Sequence, residues 1–158
     1  MSAMSQPTKD HRRWYLNLRP RTARILAVGG IGGAWSYFFL KFLYGEDAAS
    51  SLLLVGGILQ IAALLSAALL FFSTYSYISH APSREIDERE LAERYRAHYY
   101  AFQYIIVGLI LSSIGTDVAK RRWDYTPSIG VVDNFIWTLI LTSLIMPAAL
   151  LAFWDREP

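Results

Sequence analysis

The chain has 158 residues, of which 54% are apolar and 18% charged, and its formal net charge is +2. The length suits one domain, and the composition departs from the globular average toward that of membrane proteins. The lack of cysteine excludes disulfides, thiolate metal ligands and cysteine nucleophiles. The basic residues flank apolar blocks and do not form one stripe, so we expect no nucleic-acid partner.

The N-terminal segment, residues 1–24, is polar and basic and contains the mixed stretch HRRWYLNLRPR. Arginine interleaved with Trp, Tyr and Leu suits an anionic membrane surface. The segment is longer than the basic region of a signal peptide, and the apolar block after it is too long for the core of one. We therefore expect an interfacial segment over 1–24 and a single, retained membrane domain over 25–158.

Four apolar blocks follow this segment. A helix needs roughly 20 apolar residues to cross a bilayer, because lipid leaves every backbone group to be satisfied within the helix. The second block is apolar on all sides, unlike the one-sided stripe of a soluble helix. The sequence predicts an all-α fold, an integral membrane four-helix bundle with spans at about 25–44, 52–75, 99–116 and 134–154.

Small residues mark the first two spans. Gly29 and Gly33 form a GxxxG pair, and Gly56 with Gly57 gives the second span a similar surface. Small side chains allow the backbones of two membrane helices to approach closely. We predict that these glycines pack the two spans on each other or on a partner.

A charged segment over 84–98 precedes the third span, and Ser83 is its predicted N-cap. The pairs Glu85–Arg89 and Glu90–Arg94 have the i,i+4 spacing that supports a helix. We predict a charged cytoplasmic helix that continues into the third span. Arg89, Arg94 and Tyr95 on it are candidate partner contacts, and a solvated, salt-bridged extension is the alternative. The DERE stretch at 87–90 resembles segments of many small bacterial membrane proteins, a resemblance that specifies no activity. We expect the chain in a bacterial cytoplasmic membrane.

His80 and His98 flank the charged segment on the same predicted side of the membrane. Two histidines on neighbouring helices can ligate a haem iron. Neither has cysteines or carboxylates beside it at metal-ligand spacing, and interfacial histidines without a ligand are the simpler interpretation. We therefore expect no metal and no cofactor, and haem or another pigment at this pair stays an alternative hypothesis.

The orientation follows from the distribution of lysine and arginine, which favour the cytoplasmic side. Eleven of the 15 lie in the N-terminal segment, between spans two and three, or at the C-terminus. This predicts that both termini face the cytoplasm. The basic cluster over 120–122 is the exception, because this topology places it outside.

No nucleophile with a base and no carboxylate pair is recognisable, so we expect no enzymatic activity. An oligomeric pore or small transporter is the first alternative, and its lining would come from Gln60, Thr138, Thr142 and Ser143. Close-packing glycines, aromatic belts and a projecting helix favour an accessory or scaffold subunit. Its expected partners are membrane lipids and a larger membrane complex, such as a respiratory or photosynthetic assembly, or a second copy of the chain.

Overall fold

The computed structural model describes residues 14–44 and 50–155. Within these ranges the chain is helical, with a short 3-10 turn over Ser83–Glu85. Four helices are long and apolar enough to cross a membrane, and α3 is a short helix between the second and third of them. The α-helices are α1 Pro20–Tyr44, α2 Ser50–Phe71, α3 Thr74–His80, α4 Glu88–Trp123 and α5 Ile129–Trp154.

The ends of the helices follow from local chemistry. Pro20 occupies the first position of α1, where a missing N–H costs nothing, so α1 begins before the predicted apolar span. The side chain of Ser128 accepts a hydrogen bond from the Val131 N–H and caps α5. α2 ends at Phe71, short of the predicted limit at residue 75, because the chain turns at the buried Ser73.

The charged helix does not begin at residue 84 as predicted, and Ser83 is not its N-cap. Asp87 caps α4 instead, since its carboxylate accepts from the Glu90 N–H at 2.6 Å. Ile86 before it is extended, which separates the 3-10 turn from the helix. With 36 residues, α4 is about 54 Å long at 1.5 Å per residue. It therefore extends beyond the apolar span at both ends.

α5 is the central helix of the fold. It packs against α1 and α4 along the apolar spans and also contacts α3, while α1 and α2 form the closest helix pair. The described parts of α2 and α4 share no extensive contact, so the four long helices do not close into the regular ring of a four-helix bundle. The core between α1, α2 and α5 is built mainly from small and aliphatic side chains: Ala23, Ala27, Ala67, Leu70, Ile145, Ala148, Ala149 and Ala152.

The chain before α1 joins the fold at the break between α2 and α3. The Leu16 N–H donates to the Phe72 carbonyl at 2.8 Å, and the Thr74 N–H donates to the Leu16 carbonyl at 3.0 Å. These bonds satisfy backbone groups that the break leaves without helical partners. The start of α1, the end of α5 and α3 thus lie at one end of the molecule, called the α3 end below. The α4–α5 connection lies at the opposite end.

Candidate functional site

The α3–α4 junction, residues 74–98, contains most of the predicted site residues. At its centre, side chains of α4 bind the last carbonyl groups of α3. Arg94 donates to the carbonyl of Ala81 and to Oγ of Ser83, and the Nε2 atom of His98 lies 3.0 Å from the carbonyl oxygen of Ser79. The final carbonyls of a helix lack partners within it, so these contacts cap α3 and fix it to α4.

His80 and His98 are brought together, with ring centroids 6.1 Å apart and ring planes perpendicular. The Nδ1 atom of His80 lies 2.9 Å from the carbonyl oxygen of Ser76. A carbonyl oxygen only accepts, so this nitrogen and Nε2 of His98 carry protons. Nε2 of His80 and Nδ1 of His98 are then the nitrogens left for a ligand. Among the described residues, no group of three or more His, Asp and Glu side chains is placed to hold a metal ion.

The three predicted partner contacts differ in their surroundings. Arg89 is exposed and pairs with Glu93 at 3.0 Å, one turn along α4, in place of the predicted pair with Glu85. Glu85 instead accepts a hydrogen bond from the Tyr77 hydroxyl at 2.6 Å. Arg94 is committed to the α3 cap described above. Tyr95 is 60% exposed, although the Arg94 guanidinium lies over its ring. Of these three residues, Arg89 and Tyr95 are therefore accessible to a partner, and Arg94 is not.

An open cavity of about 930 Å³ lies at the α3 end. It separates the first turns of α4 from the N-terminal segment and from the end of α5. Its charged lining contains acids and arginines: Arg19, Asp87, Arg89, Glu90, Glu93 and Asp155. Because of this gap, the charged part of α4 stands away from the core of the fold.

The predicted glycine surface lies largely inside the chain. A Cβ atom on Gly33 would lie 3.0 Å from Cβ of Ala63, and one on Gly56 would lie 3.1 Å from the ring of Tyr37. Gly29 also faces α2, with Oγ of Ser66 at 3.5 Å. Gly57 has no neighbour within 4 Å among the described atoms. Three of the four glycines thus belong to the α1–α2 contact, and Gly57 does not.

A chain of hydrogen bonds inside the apolar region connects three helices, and sequence reasoning did not find it. Nε1 of Trp35 donates to the Tyr104 hydroxyl at 2.8 Å, and that hydroxyl lies 2.7 Å from Oγ1 of Thr142. The Thr142 hydroxyl donates to the carbonyl of Thr138 at 2.7 Å, so Tyr104 must be the donor to Thr142. The positions of these residues could have predicted the contact, since a Trp or Tyr far from a span end needs a hydrogen-bond partner for its polar atom.

The residues considered as a pore lining do not share one surface. Thr138 and Thr142 are 2% and 0% exposed and face the helices within the chain. The Ser143 hydroxyl donates to the carbonyl of Ile140 on its own helix. Gln60 lies on α2, half-buried. An oligomeric pore would therefore need other side chains along its path.

The fold is that of a helical membrane protein with four candidate spans. The chain matches no protein-family model, and no curated protein or solved structure is similar to it.

Proposed function

We propose that the chain is a non-catalytic accessory or scaffold subunit, which binds a larger membrane protein complex through α4. The observation that carries this proposal is the exposure of α4. Of the 18 residues in its most apolar window, 6% are buried, compared with 50% in α5. α4 packs on α5 along one face and has no extensive contact with α2. A long helix held on one side has most of its surface available to another protein or to lipid.

The exposed side of α4 has the spacing of a helix–helix contact. Its residues follow at alternating steps of three and four, which places them along one seam. The seam begins outside the apolar span and continues into it, so lipid alone would not cover its whole length. Its members are Tyr95, Tyr99, Phe102, Ile106 and Leu109, each at least 41% exposed. This continuity favours a partner helix that also extends beyond the membrane.

We propose that both termini face the cytoplasm and that the membrane is a bacterial cytoplasmic membrane. The basic cluster at 120–122, which this orientation places outside, has a local explanation. It forms the last turn of α4, where positive charge is favourable beside the free carbonyl groups. Arg121 also pairs with Asp117 at 3.0 Å. The helix end thus accounts for these cations without placing them in the cytoplasm.

The proposal is tested by extracting the protein from its native membrane with a mild detergent and measuring the mass of the particle that carries it. We expect a complex much larger than 17.9 kDa. Tyr95→Ala combined with Phe102→Ala should release the chain from it. The matched control is Ile61→Ala with Leu65→Ala, since these α2 residues are each 61% exposed, and it should leave the complex intact. A lone monomer under the mildest extraction would refute the proposal.

A further inference from the structure

Three buried polar atoms in the described part of the chain have no hydrogen-bond partner. They are Oε1 of Gln60, Nδ2 of Asn134 and Oγ1 of Thr138. The first only accepts, the second only donates, and the hydroxyl does both. An unpaired polar group in an apolar interior costs on the order of 1–3 kcal/mol, so three in one small fold require an explanation.

The helix register brings these atoms toward one seam. A Cβ atom at Gly30 would meet Cδ1 of Ile145 at 3.2 Å and the backbone of Ala67 at 3.5 Å, so α2 and α5 both reach α1 at this level. α2 and α5 run in the same direction. Gln60 and Thr138 each lie seven residues before these contacts, which is about two turns on the same face of their helices. They therefore lie within about one turn of the same level.

The buried face of α1 carries a small side chain at this level. Ala34 follows Gly30 by one turn on the same buried face of α1 and is fully buried. Asn134 precedes Thr138 by one turn on α5, so the two side chains are neighbours on one face. The seam between α1, α2 and α5 thus combines two donors and two acceptors with a small wall at Ala34, and Phe38 follows one turn later against Phe135. A buried water molecule typically makes about three hydrogen bonds to such groups.

We propose that Gln60, Asn134 and Thr138 form an internal water site in the half of the membrane domain away from α3. Water accepts hydrogen bonds from the Asn134 amide and the Thr138 hydroxyl and donates one to Oε1 of Gln60. Closer to the α3 end the same seam is lined by the aliphatic side chains of Leu70, Ile145 and Ala149. The site is therefore a closed hydration site and not part of a continuous path across the membrane.

The test uses the full chain in lipid nanodiscs and NMR cross-peaks between water and side-chain amides. The Asn134 amide should show a cross-peak to long-lived water, and Thr138→Val should remove it while Thr138→Ser retains it. Gln103 is the control, because its amide binds the exposed Tyr99 hydroxyl and should show only fast-exchanging water. Absence of the Asn134 cross-peak, or its persistence in Thr138→Val, would overturn the proposal.

Thermal unfolding provides a second readout, in which the unfolding midpoints of two variants are compared. If water joins the three side chains, removing one of them leaves the other two unpaired. Thr138→Val alone should then lower the unfolding midpoint more than the triple variant Gln60→Leu, Asn134→Leu, Thr138→Val does. Losses that simply add across the three positions would contradict a shared site, because independent groups do not compensate one another.

Discussion

The Arg24 guanidinium joins the first turns of α1 to the last turn of α5. Its Nε atom donates to the carbonyl oxygen of Ala152 at 3.0 Å, and Nη2 donates to the carbonyl oxygen of Asp155. The last carbonyls of a helix carry partial negative charge and lack partners within the helix. One arginine of the basic N-terminal segment therefore caps the C-terminus of the central helix.

Arg24→Ala should lower the free energy of unfolding by about 1–2 kcal/mol, because two carbonyls lose a charged donor. Thermal unfolding in detergent, followed by circular dichroism, measures this loss. Arg19→Ala removes an equal charge from an exposed position at the same end and is the control. Equal losses in the two variants would show that net charge, and not the cap, is responsible.

Tyr104→Phe should destabilise the protein by about 1–3 kcal/mol, since it leaves the Trp35 N–H without an acceptor inside the apolar region. Tyr99→Phe, on the same helix, removes a hydroxyl that binds the exposed Gln103 and should have little effect. The comparison uses unfolding midpoints of both variants under one detergent condition. A neutral Tyr104→Phe variant would mean that the three-helix chain of hydrogen bonds adds no stability.

Gly33→Ala should destabilise the α1–α2 contact, because the added methyl group would lie 3.0 Å from Cβ of Ala63 and 3.1 Å from the Leu59 carbonyl. Overpacking of this kind costs typically about 1–3 kcal/mol. Gly32→Ala is a close control, since its Cβ would meet nothing within 4 Å. It should be neutral or slightly stabilising by its higher helix propensity. Similar behaviour of the two variants would contradict the packing described for this pair.

His98→Ala should loosen the α3–α4 junction without changing any visible absorption of the purified protein. Its Nε2 atom binds the Ser79 carbonyl, so its loss removes part of the α3 cap. We expect faster proteolysis between residues 81 and 87 than in the unchanged protein. The absorption spectra of the variant and of the unchanged protein should be the same, both without haemin and after its addition. A Soret band in the native protein that disappears in His98→Ala would instead support the haem hypothesis.

The proposed orientation can be tested by labelling, because the chain contains no cysteine of its own. Ala92→Cys lies on the charged part of α4, and Thr126→Cys lies in the connection before α5, both at exposed positions. A membrane-impermeant maleimide should label Thr126→Cys in intact cells and Ala92→Cys only in inverted vesicles. The reverse pattern would place the termini outside.

The sequence by itself determined the class of fold. An apolar block long enough to cross a bilayer must be helical in lipid. A helix is the structure in which a single segment forms its backbone hydrogen bonds within itself. All four predicted blocks lie largely within the long helices found, and Gly29, Gly33 and Gly56 lie where α1 and α2 approach. These are local properties, readable from length, composition and short spacings.

The tertiary structure decided which polar groups meet. Ser83 and Asp87 are both good caps by residue type, and Asp87 is the one that caps α4, while Ser83 binds Arg94. In the sequence Arg24 is one of several basic residues before the first span. In the structure it binds two carbonyl oxygens at the end of α5. Tyr104 likewise acquires its role from helices distant in the chain. Such contacts depend on how helices pack and in which register, which local sequence patterns do not encode.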